Sequence, residues 1–310
     1  MTQDDVVGSD GSDINEHWRY HASERFGAIE PAFQSSGVPG LAFNGERTTL
    51  WALTRAIPTL FCLDREGAVL DKLALSLTRA HALGATQSGS LLVVDDARHV
   101  VEEIMPDGTV VHTLGIPDDP ADTGYLPDDP LSIKRVGRPF NRPAGVTAAA
   151  ANEVLVSDGY GNARVHHFEA GELIHSWGEP GSGPGQFRLP HGIATDAHGL
   201  IYVADRENGR VQVFSPEGSY VREYTGLARP CDVVVSALGD IYVAELDPEG
   251  GRVTILGADG DVHTQFPACG DQPAAGAHAI EIDFDGNIYL GLVPRIEARL
   301  TYGIVKCRPA

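Results

Sequence analysis

The sequence predicts an all-β protein built as a six-bladed β-propeller. Three observations predict it: an internal repeat, a period of roughly 40–47 residues, and a Gly/Pro-rich turn between nearly every pair of strand-like runs. The repeat is clearest in Leu189-Pro190-His191-Gly192-Ile193-Ala194, followed by Gly199-Leu200-Ile201-Tyr202-Val203-Ala204-Asp205. Alternating or apolar runs recur at 49–53, 90–94, 153–157, 200–204, 240–244 and 287–291, most of them preceded by a turn such as Ser88-Gly89, His198-Gly199 or Asp285-Gly286. Most are followed by further strand-like runs separated by glycine turns, as in 210–214, then Pro216-Glu217-Gly218, then 220–224. Four short strands per 40–50 residues is the size of a propeller blade. Units open near Leu41, His81, Ala144, His191, Cys231 and His278. The interval from 81 to 144 is longer, and its excess is the Pro/Asp-rich stretch 117–140, expected to be a loop over one face. A parallel β-helix or two sandwiches would not carry this period.

On this reading residues 1–15 form a disordered acidic N-terminus. Residues 16–310 form a single propeller domain with an N-terminal extension, which covers or closes the ring. The 36 glycines and 20 prolines suit short strands rather than long helices. Lys+Arg 23 against Asp+Glu 43 gives a net charge of -20, which repels phosphate backbones and argues against a nucleic-acid partner. No apolar run approaches the ~20 residues that span a bilayer. The acidic start lacks the basic and apolar regions of a secretory signal. Cys62, Cys231, Cys269 and Cys307 have neither metal-like nor disulfide-like spacing, so free thiols in a cytoplasmic protein are expected.

The opening slot of each repeat carries the chemistry. It holds His81, His191 and His278 in units two, four and six, and Ala144 and Cys231 between them. With 12 histidines in the chain, a turn or core role is the ordinary expectation for any one of them. The phasing changes that. Alternate units of a six-unit ring lie about 120° apart around the channel. Three neutral imidazoles meeting on one axis with one open position form a catalytic zinc arrangement. His166 and His167 are adjacent on one strand, point to opposite faces, and are not expected to be ligands.

A second slot follows the first strand of each unit. Arg55 and Arg206 share it on opposite units, and Tyr160 lies one residue further on in unit three. Asp158, Asp205, Arg164 and Arg210 are expected to be structural, each Asp bonding loop amides and each Arg pairing between blades. Two cations beside a metal suit a carboxylate-bearing substrate. They also favour the phenolate of a nearby tyrosine, which makes Tyr160 a candidate base.

These residues resemble those of NHL-repeat propellers, and within that class the peptidyl-α-hydroxyglycine α-amidating lyases. The resemblance is carried by Asp158-Gly159-Tyr160-Gly161-Asn162-Ala163-Arg164-Val165. It continues in Trp177-Gly178-Glu179, Pro184-Gly185-Gln186-Phe187, Pro190-His191 and Ala204-Asp205-Arg206-Glu207-Asn208-Gly209-Arg210. It extends over about residues 40–310 and is weaker in the first two units. It implies zinc on His81, His191 and His278, a catalytic role for Tyr160, Arg55 and Arg206, and cleavage of an N-acyl α-hydroxyglycine to an amide and glyoxylate. The family's structural calcium uses carbonyls matching Leu41 and Leu83 and an aspartate where this chain has Ala279, which makes calcium doubtful. A pocket methionine of the family is Gly276 here, and the cysteine after the tyrosine in the secreted animal enzymes is Gly161, consistent with a reducing compartment. The first histidine sits in Arg79-Ala80-His81-Ala82-Leu83 rather than in Pro-His-Gly. No copper monooxygenase segment is read in these residues, and on that expectation the substrate is a small carboxylate-bearing hemiaminal rather than a peptide hormone. Oligomeric state is left open. Two other classes stand beside the lyase: a metal-dependent hydrolase or lactonase, and a non-enzymatic protein-binding scaffold.

Overall fold

The computed structural model describes residues 18–21, 24–27, 31–55, 57–127, 129–247, 250–268, 275–294, 300 and 303–310. The stretch 1–15 expected to be disordered lies outside them. The described residues contain six four-stranded antiparallel sheets. The innermost strands are Gly40–Phe43, Ala80–Ala85, Gly145–Ala148, Pro190–Thr195, Pro230–Val235 and Ala275–Ile282, which we number as blades I to VI. Each innermost strand packs against the next, and that of blade VI returns to blade I, so the ring is closed. Blades I to V run outward in chain order. Blade VI takes its outermost strand, Glu24–Arg25, from the N-terminal extension, paired antiparallel with Ile304–Cys307. This joins the two ends of the chain in one sheet.

The pattern of each strand follows its depth in a blade. Second strands such as Leu91–Asp95 and Ile201–Asp205 are buried along their whole length, because a neighbouring blade covers each face. Fourth strands such as Val110–Leu114 are largely exposed. The core is correspondingly divided into six clusters, one at each blade boundary. Leu53, Leu60, Leu83 and Val93 join blades I and II, for example, and Phe43, Phe61, Ala279 and Tyr289 join blades VI and I. Burial of these apolar faces is the main force closing the ring.

Register shifts interrupt the innermost strands where the functional slots fall. In blade II the shift lies between Ala80 and Leu83, in blade IV between Pro190 and Ile193, in blade V between Pro230 and Asp232, and in blade VI between Ala277 and Ala279. His81 with Ala82, His191 with Gly192, Cys231 and His278 are the residues left out of the ladder. A bulge re-aims a side chain, and here it turns three imidazoles toward the channel axis.

Candidate metal centre

The three histidines converge. One ring nitrogen from each of His81, His191 and His278 lies within 4.8 Å of those of the other two, and all three residues are buried. The imidazole rings pack edge to face with centroids 4.9–5.0 Å apart. Each Nδ1 faces a backbone carbonyl of the next blade: Ala144 O at 2.7 Å for His81, Cys231 O at 2.6 Å for His191, and Pro39 O at 2.9 Å for His278. A carbonyl only accepts, so Nδ1 carries the proton and Nε2 presents its lone pair. Burial holds all three imidazoles well below the usual histidine range; the Arg55 charge adds to it for each, Arg206 for His191 and His278, and neighbouring imidazoles for His81 and His191. Three neutral, oriented nitrogen donors with fixed tautomers form a set that fits a divalent metal, and carbonyls that fix the tautomer are a common second shell.

The other candidate residues meet these nitrogens. The Tyr160 hydroxyl lies 3.0 Å from His81 Nε2 and 3.1 Å from His191 Nε2. Arg206 Nη1 donates to that hydroxyl at 3.3 Å. Arg55 Nη2 lies 3.4 Å from His278 Nε2, while its Nε donates to Ala80 O at 3.3 Å. Arg206 opens a short 3-10 turn, Arg206–Asn208, that is ended by Gly209 in the left-handed region. Burial opposes its charge, but Tyr160, Cys231 and Glu207 outweigh that and strengthen its protonation. Arg55 is pulled the other way, chiefly by burial.

Arg55, Tyr160, Arg206 and His278 line a cavity of about 440 Å3, together with Arg229, Leu246, Val293 and Pro294. Down the channel a second space of only about 30 Å3 runs past Leu41, Leu83 and Asp232. The mouth is therefore two-sided. Blades I, III and IV contribute cations and the phenol, and blades V and VI contribute an apolar lip.

The structure separates the remaining candidates from the site. His166 and His167 lie in the third strand of blade III, on Ser176 Oγ at 2.9 Å and Glu153 Oε2 at 3.2 Å. Asp158 accepts from Asn141 N and Asn162 Nδ2, and Asp205 accepts from Arg188 N and Asn208 Nδ2, so both brace loops. Arg210 binds Asp205 in its own blade and three carbonyls, of Ser182, Gly183 and Gln186, in the connection from blade III. The expectation of inter-blade pairing fails for Arg164. It donates to Gly178 O and Ser176 O of its own blade, because the adjacent fourth strand offers nearer acceptors.

Several site residues lie beyond those singled out from the sequence. Leu246 and Val293 occupy the same register position as Arg206, and slot counting could have found them. Arg142 and Tyr125 come from the long connection between blades II and III, where no period applies. The Arg142 guanidinium lies 5.0 Å from the Tyr160 ring centroid.

Fold and site together define a six-bladed propeller with a three-histidine centre at one channel mouth. The NHL repeat model matches residues 140–168 and 187–214. The chain is 31% identical to the peptidyl-glycine alpha-amidating monooxygenase of Mus musculus over 172 residues, which is 49% of this chain and 17% of that protein. It is 30% identical to a probable peptidyl-alpha-hydroxyglycine alpha-amidating lyase of Caenorhabditis elegans over 164 residues, 51% of this chain and 43% of that one. The matches thus span less than half the length of either relative. A streptogramin B lyase shares the fold with a TM-score of 0.65 at 16% identity, covering 95% of this chain and 99% of that chain. No helix among the described residues is long and apolar enough to cross a membrane.

Proposed function

We propose that this protein is a zinc-dependent carbon–nitrogen lyase that cleaves a small N-acyl α-hydroxyglycine to a primary amide and glyoxylate. The observation that carries this reading is the meeting of three neutral imidazoles, one phenol and two arginines at a single cavity. Similarity to proteins named as amidating lyases supports it.

His81, His191 and His278 would hold the metal. When bound, it would supply Lewis-acid polarisation at the substrate's oxygen atoms. Arg55 and Arg206 face the cavity from opposite blades and are suited to the carboxylate. The acyl group then lies against Leu246, Val293 and Pro294, where an apolar group is favoured. Arg206, which donates to the Tyr160 oxygen, stabilises the phenolate that accepts the proton of the α-hydroxyl, and the negative charge passes to the substrate oxygen. As the hydroxyl oxygen becomes the aldehyde oxygen of glyoxylate, the C–N bond breaks and its electron pair stays on nitrogen. The proton held at Tyr160 returns to that nitrogen, giving the amide. No water or redox partner is consumed. No disulfide joins Cys62, Cys231 and Cys307 among the described residues, in keeping with a cytoplasmic setting in which another enzyme hydroxylates the substrate.

The test is glyoxylate release from α-hydroxyhippurate by the wild-type protein and Tyr160→Phe. Wild type is expected to release glyoxylate and benzamide together, and the variant to keep its metal and lose about 100-fold or more in turnover. Unchanged turnover in the variant, or no release by metal-loaded wild type, contradicts the reading.

A further inference from the structure

We propose that Arg142, supplied by the connection between blades II and III, is a positioning residue that fixes the Tyr160 ring beside the three histidines. This rests on the reading of Tyr160 as the proton acceptor.

The backbone points to it first. Arg142 has φ 63, a left-handed conformation that disfavours a long side chain. Two bonds hold it there: its N–H donates to His99 Nδ1 at 3.0 Å, and its carbonyl accepts the Tyr160 N–H at 3.3 Å. The side chain is anchored independently. Nη1 donates to Tyr125 Oη at 2.6 Å and Nη2 to Asp96 Oδ2 at 3.2 Å. Asp96 is itself buried and is clamped by Arg79 Nε at 2.6 Å and Nη2 at 2.5 Å. Arg142 Nε is buried with no hydrogen-bond partner. The guanidinium is thus oriented for the ring rather than for the most hydrogen bonds. Its Cζ lies 5.0 Å from the Tyr160 centroid, and Arg206 Cζ lies 5.4 Å from it, so two cations grip one ring.

The need for such a grip follows from the hydroxyl. Two of its three polar contacts are the Nε2 lone pairs of His81 and His191. A metal on the histidines would take those lone pairs. The phenol then keeps Arg206 at its hydroxyl and the two guanidiniums at its ring. Arg206 is also assigned to the substrate carboxylate, which leaves Arg142 as the cation whose partners, Asp96 and Tyr125, are all protein groups.

The experiment uses zinc-loaded full-length protein labelled with 3-fluorotyrosine, with the Tyr160 19F resonance assigned by its loss in Tyr160→Phe. In Arg142→Gln that resonance is expected to shift and broaden while zinc content stays at the wild-type level. On α-hydroxyhippurate, kcat is expected to fall about tenfold or more with KM within about twofold, and Arg142→Lys to recover part of the loss. Tyr125→Phe removes an acceptor of Arg142 without touching its backbone, and should move the same resonance in the same direction. An unmoved resonance in both Arg142→Gln and Tyr125→Phe overturns the proposal. So does a rise in KM at constant kcat, which would make Arg142 a substrate contact. If wild type releases no glyoxylate, the lyase reading fails, and the resonance still decides whether Arg142 positions the ring.

Discussion

Gly161 shows how a single residue changes meaning between sequence and structure. In the sequence the resemblance aligns it with a cysteine of the secreted animal lyases, from which a reducing compartment is an expectation only. In the fold it is a packing requirement. A β-carbon there would lie 2.2 Å from Asn141 Oδ1 and 2.8 Å from Asn141 O. Asn141 cannot withdraw easily, because its Nδ2 donates to Ala121 O and its N–H to Asp158. Gly161→Ala should therefore destabilise the protein by about 1–3 kcal/mol and lower turnover by displacing the neighbouring Tyr160. A denaturant midpoint and a glyoxylate assay check both, and an unchanged midpoint would show that the loop yields freely. The three histidines, Tyr160, Arg55 and Arg206 were legible at this scale because each sits at a fixed offset in a repeat. Arg142 was not, since its neighbours in sequence carry no period and its role depends on where the connection folds.

At the scale of elements, the innermost strands do two jobs. Their bulges aim His81, His191, Cys231 and His278, and their inward edges leave backbone N–H groups without a ladder partner. Asp232 answers one of these needs. Its carboxylate accepts from Val233 N and, across the blade boundary, from Ile280 N, both at 3.0 Å. Burial nevertheless pushes its carboxyl up to about 7. The sign of the linkage follows. Between the unfolded value near 4 and the folded value near 7 the native state binds more protons, so this group's contribution to stability is full below about pH 4 and is lost as pH rises through about 7. Glu281, also raised to about 7 by burial, acts in the same direction. Asp232→Asn should gain in melting temperature relative to wild type as pH rises from about 4 to about 8. A constant difference across that range would place the carboxylate's titration elsewhere. The connection 115–143 was legible only as an insertion. Its contacts with Tyr160 and Gly161 arise from irregular backbone, which periodicity does not describe.

For the molecule as a whole, the six units and their opening positions were readable because blades I to V repeat one strand order, blade VI follows it in its first three strands, and the innermost strands begin at or within a few residues of the positions counted from the repeat. The closing strand Glu24–Arg25 carries no signal of its own. Its place is set by the free edge of Ile304–Cys307, which lies almost a full chain length away. Charge also acts at this scale. The chain carries -20 overall, yet Arg55, Arg79, Arg142, Arg206 and Arg229 gather around one mouth, offset nearby by Asp96 and Glu207. Such a local positive field on an acidic body draws small anions to the mouth, in keeping with a carboxylate-bearing substrate. The central claim is that this mouth is a metal centre with lyase chemistry. Its most direct test is elemental analysis of wild-type protein and His191→Ala, purified without chelator, with glyoxylate release from α-hydroxyhippurate measured on the same samples. The account predicts about one zinc per chain and release in wild type, with both lost in the variant while the β-rich fold remains. Wild-type protein without a stoichiometric metal, or a variant that keeps its zinc, would contradict it.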